Sequence, residues 1–336
     1  MSDFVRHNAV PTDFSGSDSW VILSPIEQSI KRKIEAVGVP LKDWDINIYR
    51  GVLTGYNEAF IISTEKRDEI LSKCKTLEER QRTEELIRPI LRGRDIKRYG
   101  YDWANLWLVA TFPARNYDIE QYPAVKSYLL SFAEPMLREA GLDWVADNYL
   151  ADYCYQKLAQ TGQFIEIAGQ RVRIGSSDEK ARKKTSNKWF ETQDSINYWD
   201  DFNEPKLIWG EISDRSKFAY DSNGSYVPEA TTFLLVGEEV ISLYYFLNSS
   251  PAEWYFSKLG PRTGEGTIRW KKYTVEMIFA PHLSFSQKRE IENIVSSSNT
   301  TINSNNINGW FYKFYGFTPD EQAYIEDYFH SIVKNK

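Results

Sequence analysis

Two apolar strand-like runs, KLIWGEI (206–212) and TTFLLVG (231–237), are followed at once by a strongly apolar helix, ISLYYFLN (241–248). Pro251 breaks that helix before AEWYFSKLG continues it. Strands and helices are mixed along the chain without a regular βαβ alternation. That order argues for an α+β fold, a mixed sheet with flanking helices, and against a doubly wound sheet. At 336 residues the chain can hold one large domain or two ordinary ones, each with its own core.

Local signals place further elements. In SPIEQSIKRKIEAVG, Ser24 can cap a helix, Pro25 suits its first position, Glu27 closes a capping box and Gly38 can end it. Ile26, Ile30, Ile34 and Val37 then share one face. Ile46–Tyr49 and Ala59–Ile62 read as two strands joined by a turn bearing Gly51 and Gly55. A charged helix is expected over Glu65–Leu91, a buried strand over Leu106–Phe112, and a helix restarted at Pro135. Residues 160–205 are polar and basic and form the least core-like stretch. The expected division is a flexible segment over 1–18, a domain over 19–290, a Ser/Asn-rich linker over 291–309 and a terminal helix over 310–336, where Thr318, Pro319 and Glu321 repeat the capping pattern.

Several chemistries lack their signatures. Cys74 and Cys154 are too few for a zinc site or a disulfide scaffold and suggest ordinary thiols in a reducing compartment. His7, His282 and His330 have no ligand spacing. GPRTGEG, over 260–266, has no Lys-Ser/Thr after it, so no phosphate loop is formed, and a nucleophile elbow is missing. No apolar run reaches the roughly 18 residues of a membrane span, and the first residues do not read as a signal peptide, so a cytoplasmic location is expected. Asp201, Glu204 and Lys206 satisfy the letter of a metal-nuclease motif, although Pro205 is poor inside a central strand.

Charge is segregated. The chain carries 41 Lys and Arg against 47 Asp and Glu, a net charge of -6. Three windows run the other way: 88–98 holds five bases and one acid, 171–188 seven and two, 262–272 four and one. The windows sum to +12 and leave -18 elsewhere. Each run alone reads more readily as a solvated face; the three together weigh evenly between that and a polyanion-binding surface on an acidic body.

The order of motifs carries more. IYRGVLTGYNEAFIIS, a helix, IRPILRGRDIKRYGY and LWLVATF precede YWDDFNEPKLIWGEISDRSKFAYD, VPEATTFLLVGE, SLYYFLNSSPAEWYFSKLG, GTIRWKKYTVEMIFAP and FYKFYGFTPDEQ. From Ser19 to Pro281, plus the tail, this set resembles the TaqI-like C-terminal specificity domain of adenine-specific DNA methyltransferases and of type IIG enzymes. The resemblance implies target recognition: duplex DNA clamped against a catalytic domain while base edges are read and an adenine is flipped out. It places Gly51, Thr54, Gly55 and Asn57 in one surface-shaping turn, and Arg92, Gly93, Arg94, Asp95, Lys97 and Arg98 in a second.

On that basis no catalytic or metal residue is expected in this chain. S-adenosylmethionine, and magnesium for cleavage, would belong to a methyltransferase or endonuclease domain or subunit that works with it, the chain being either a fragment or a separate specificity subunit. Expected DNA contacts are Thr54, Asn57, Lys97 and Arg98, then Arg171, Arg173, Lys183, Lys184, Asn187, Lys188, Glu191 and Gln193 in the polar loop, and Arg262, Arg269, Lys271 and Lys272 on a second edge. Trp189 and Phe190 either pack on sugars or anchor the loop. The alternatives are a magnesium-dependent nuclease on Asp201, Glu204 and Lys206, or a protein-interaction module of a restriction or phage-defence complex using helices over 241–260 and 319–333.

Overall fold

The strand Lys206–Gly210 is buried along its whole length. In the computed structural model, which describes residues 23–131, 133–150, 152–154, 164–173, 186–259, 268–296 and 304–334, it lies antiparallel between Phe218–Asp221 and Thr232–Gly237. Ile46–Arg50 completes this four-stranded sheet. Successive side chains of a strand point to opposite faces. Leu207, Trp209, Phe233, Leu235, Ile48 and Phe218 enter one core, while Ile208, Leu234, Val236 and Ala219 enter another. The sheet is a wall packed on both sides, so its strands are apolar throughout instead of alternating.

Helices Pro25–Val37, Val240–Leu247, Ser250–Leu259, Ser304–Phe314 and Pro319–Lys334 fill the first core. The indole of Trp209 donates to the carbonyl of Trp270 at 2.8 Å, and Phe256 stacks on Trp270 with ring centres 3.8 Å apart. Both expected capping boxes form, at Ser24 with Glu27 and at Thr318 with Glu321. Glu321 also accepts from Ser29 and Lys33, each at 2.7 Å, which ties the last helix to the first. The second core lies under a mixed sheet ordered Val227–Pro228, Ile87–Leu91, Leu106–Val109, Ile61–Ser63. A small third cluster joins the helices of 134–154 to a hairpin, Phe164–Ile167 with Gln170–Arg173. The fold is α+β.

Four expectations need correction. The charged helix over 65–91 is two helices, Thr64–Ser72 and Leu77–Leu86, because Thr76 caps a new one, and Ile87–Leu91 is a strand. Ile46–Arg50 and Ile61–Ser63 are not hairpin partners; each pairs with a distant strand in a different sheet. The polar stretch up to 205 is not peripheral, since Phe190, Ile196 and Phe202 insert into the second core. Residues 304–309, assigned to the linker, are helical and bury Ile307 and Asn308, whose side chain pairs with Ser250. Residues 1–18 and 297–303 lie outside the described residues. The aromatic helices over 241–260 and 319–333 send their rings inward: Val240–Leu247 is almost wholly buried, and Phe329 enters the first core.

Candidate nucleic-acid interface

Two close backbone crossings build the surface around the glycine motifs. At the end of strand Ile46–Arg50, the N–H of Gly51 donates to Thr232 and that of Val52 to Pro228, both at 2.8 Å. A Cβ on Gly51 would stand 2.1 Å from the carbonyl oxygen of Glu229, so only glycine fits. Beyond it, Thr54 bonds Asn57 and the N–H of Tyr56, shaping the turn at Gly55, whose φ is +82°. In the second crossing Gly93 lies against Gly210, where a Cβ on Gly210 would meet the Gly93 Cα at 3.4 Å.

Gly93 opens a short helical turn, Gly93–Asp95, fixed by a local lock. Arg92 grips Asp95 with two parallel bonds, Nε to Oδ2 at 3.0 Å and Nη2 to Oδ1 at 2.8 Å, and adds its backbone N–H at 3.0 Å. Burial pushes the Asp95 carboxyl up, but these donors outweigh it and hold the group below its ordinary value. The lock leaves Arg94 exposed at the apex of the turn.

Arg94 projects into a groove of about 710 Å³ whose basic lining is Arg50, Arg94, Lys97, Lys217 and Arg269, against the acids Glu211 and Asp214. A second hollow of about 560 Å³ shares Arg94 and Thr231 with it and reaches Asn57 and Glu58. The two adjoin at these shared residues and together make one trough. A trough with more cations than anions on an acidic chain suits a polyanion.

The predicted contacts divide sharply. Lys97 and Arg269 line the groove, and Lys271 stands beside it, 3.9 Å from Glu211. Asn57 lines the second hollow and is exposed. Lys272 is exposed with Glu276 at 3.7 Å. On the hairpin, Arg171 and Arg173 lie on the exposed face, opposite Ile165, Ile167 and Val172, and Arg171 sits 4.1 Å over the ring of Phe164. Lys183, Lys184 and Arg262 lie outside the described residues.

Four candidates are corrected. Thr54 is buried and spends its hydroxyl on the turn. Arg98 points inward, bonding the carbonyl of Asn248 and reaching Glu253 at 3.3 Å; that buried carboxylate also holds Arg215. Asn187 donates to the carbonyls of Thr192 and Gln193, at 2.8 and 3.0 Å. Glu191 is buried and accepts the N–H of Lys188 at 2.7 Å. The reason is shared: residues 187–194 are stitched to the fold, with Thr192 N–H to Thr111, and Gln193 N–H to Thr54, both at 3.0 Å. Lys188 reaches back to Asn116 at 2.9 Å, and Phe190 is an anchor in the second core.

Lys206 of the nuclease alternative is fully buried, held at 2.7 Å by both Asp221 and the carbonyl of Phe202. Burial lowers its pKa, and Asp221 opposes that. It is a strut of the wall, and no water can reach it there. Among the described residues no group of three or more His, Cys, Asp or Glu is placed to hold a metal ion. No described helix is long and apolar enough to cross a membrane.

Arg50 and Lys217 also line the groove, and neither carries a sequence signal for it. They lie outside the three basic windows, brought to the groove by pairing between Ile46–Arg50 and Thr232–Gly237 and by the loop ahead of Phe218. No windowed charge signal could find them.

Residues 156–278 match the family of the TaqI-like C-terminal specificity domain. That stretch of the chain is similar to a TaqI-like specificity domain. The match is narrower than the span from Ser19 to Pro281 and excludes both glycine motifs, while taking in the hairpin, the central wall strands and Arg269. Solved structures similar to the chain include the type IIL restriction-modification enzyme MmeI, determined in complex with DNA, at 10% identity and a TM-score of 0.46, over 88% of this chain and 36% of that one. The type IIG restriction endonuclease BpuSI is similar at 13% identity and a TM-score of 0.44, over 79% and 27%. The chain thus spans about a third or less of the length of those enzymes. Among curated proteins none matches it.

Proposed function

We propose that this chain recognises double-stranded DNA targets for a restriction-modification system. The observation that carries the reading is the basic trough centred on Arg94, on an otherwise acidic protein whose residues 156–278 match a specificity-domain family. The trough tracks phosphates, through Arg50, Arg94, Lys97, Lys217 and Arg269. The exposed hairpin face with Arg171 and Arg173 supplies base readers, since arginine pairs bidentately with guanine edges, and Lys183 and Lys184, which follow in the sequence outside the described residues, are assigned to the same task. Methylation with S-adenosylmethionine, and magnesium-dependent cleavage, belong to a partner methyltransferase or type IIG domain or subunit. Its place of action is the cytoplasm, as part of phage defence.

The test is binding of a labelled duplex by anisotropy across a salt series. Six phosphate contacts, five from the trough and one from the hairpin side, predict a slope of about -5 in log K against log salt. A flat salt dependence would contradict the reading.

A further inference from the structure

The cations of the trough are not equivalent. Lys217 lies 2.8 Å from Asp214, Lys97 3.5 Å from Asp102 and Arg269 3.9 Å from Glu211. Arg50 commits its Nε to the carbonyl of Ala230 at 3.0 Å. The guanidinium of Arg94 has neither a hydrogen bond nor an ion pair among the described residues, although it borders both hollows. Its backbone, in contrast, is held firmly. Asp95 N–H bonds Arg92 at 2.9 Å, Gly93 N–H bonds the Thr231 hydroxyl at 3.3 Å, and Gly93 packs on Gly210. A planar fork on a fixed turn, without a hydrogen-bonded partner among the described residues, is pre-organised for a phosphate: it breaks no protein hydrogen bond on binding, and little backbone freedom is lost.

We propose that Arg94 is the principal phosphodiester anchor of the trough, and that Asp95, acting through Arg92, is its positioning residue. This rests on the DNA-recognition reading above and assigns within it the step that seats the backbone. Asp95 gives the idea a test of sign. Judged by charge alone, Asp95→Asn removes an anion beside a DNA-binding trough and should tighten binding. As a positioning residue its loss should weaken it, because the turn that aims Arg94 is released.

The experiment measures the full chain on a random-sequence duplex across salt, alongside Arg94→Ala, Arg94→Lys, Lys97→Ala and Asp95→Asn, each first checked for cooperative unfolding. Arg94→Ala is expected to bind about tenfold more weakly and to reduce the salt slope by about one. Arg94→Lys should restore the slope but only part of the affinity, since a point charge replaces the fork. Lys97→Ala should lose less than Arg94→Ala, and Asp95→Asn should weaken binding. Should Asp95→Asn fail to fold, the comparison of Arg94→Lys with Arg94→Ala decides alone. An Arg94→Ala protein that binds like the parent overturns the proposal while leaving the DNA reading intact; a parent without salt-dependent binding overturns the reading itself. Displacement of duplex by inorganic pyrophosphate at equal phosphate concentration would assign the trough to a free polyphosphate and also overturn it.

Discussion

Replacing Gly51 by alanine puts a methyl group where the chain leaving the strand Ile46–Arg50 crosses the backbone at Glu229. The new Cβ would stand 2.1 Å from the Glu229 oxygen and 2.6 Å from its carbonyl carbon. Relief to an ordinary contact distance demands a retreat of more than about 1 Å. The two hydrogen bonds across this seam, Gly51 to Thr232 and Val52 to Pro228, are 2.8 Å long and cannot survive that movement unchanged. Losing them costs about 1 kcal/mol each, and overpacking adds about 1–3 kcal/mol. The stiffer unfolded chain of the alanine variant offsets about 0.4–1 kcal/mol. The expected net loss is therefore about 2–4.6 kcal/mol, read as a lower urea midpoint at unchanged slope. Gly100→Ala is the control, because no atom lies within 4 Å of its added Cβ; it should change stability by less than about 0.5 kcal/mol. If both variants melt alike, the crossing at Gly51 is not the constraint described.

Two other perturbations probe the frame that carries the trough. Burial pushes the Glu27 carboxyl up, but Lys258 at 2.6 Å and Ser24 pull it further down, from 4.5 to about 2. A carboxyl whose folded pKa is depressed contributes stability above its unfolded value and loses it as pH falls. Glu27→Gln should thus flatten the loss of stability between pH 4.5 and about 2; urea midpoints with an unchanged pH dependence would refute this. Lys206→Met leaves Asp221 buried without its cation, which should cost about 3–5 kcal/mol, and adding Asp221→Asn should recover part of the loss in the same denaturant assay. A tolerated Lys206→Met would contradict its role as a strut.

What the sequence reveals and conceals follows the range of each interaction. Ser24 with Glu27, and Thr318 with Glu321, close over three residues, so both helix starts are legible. The strand character of Lys206–Gly210 is legible from its apolar run, but its sorting into two cores is not, because that depends on pairing with Ile46–Arg50 through Thr232–Gly237. A glycine-bearing turn after Ile46–Tyr49 invites a hairpin; the real partners of both strands lie far along the chain.

The site shows the same division. Lys97 and Arg269 are legible because they sit in charge-rich windows. Arg88, Arg92 and Arg98 share the first window yet turn to Asn203, Asp95 and Glu253, two of them more than a hundred residues away. Counting charge cannot separate these braces from the exposed Arg94. Conversely Arg50 and Lys217 lie outside the basic windows, and strand pairing for the one and the loop ahead of Phe218 for the other bring them to the trough.

Sequence-specific recognition is most directly measured by selecting duplexes from a randomised library with the full chain and sequencing the bound pool. The account predicts enrichment of one short motif, with preference at a single position relaxed by Arg171→Ala or Arg173→Ala and every position retained, at lower affinity, in Arg94→Ala. A bound pool with the composition of the input, or a motif that Arg94→Ala alters while both hairpin variants leave it intact, would contradict it.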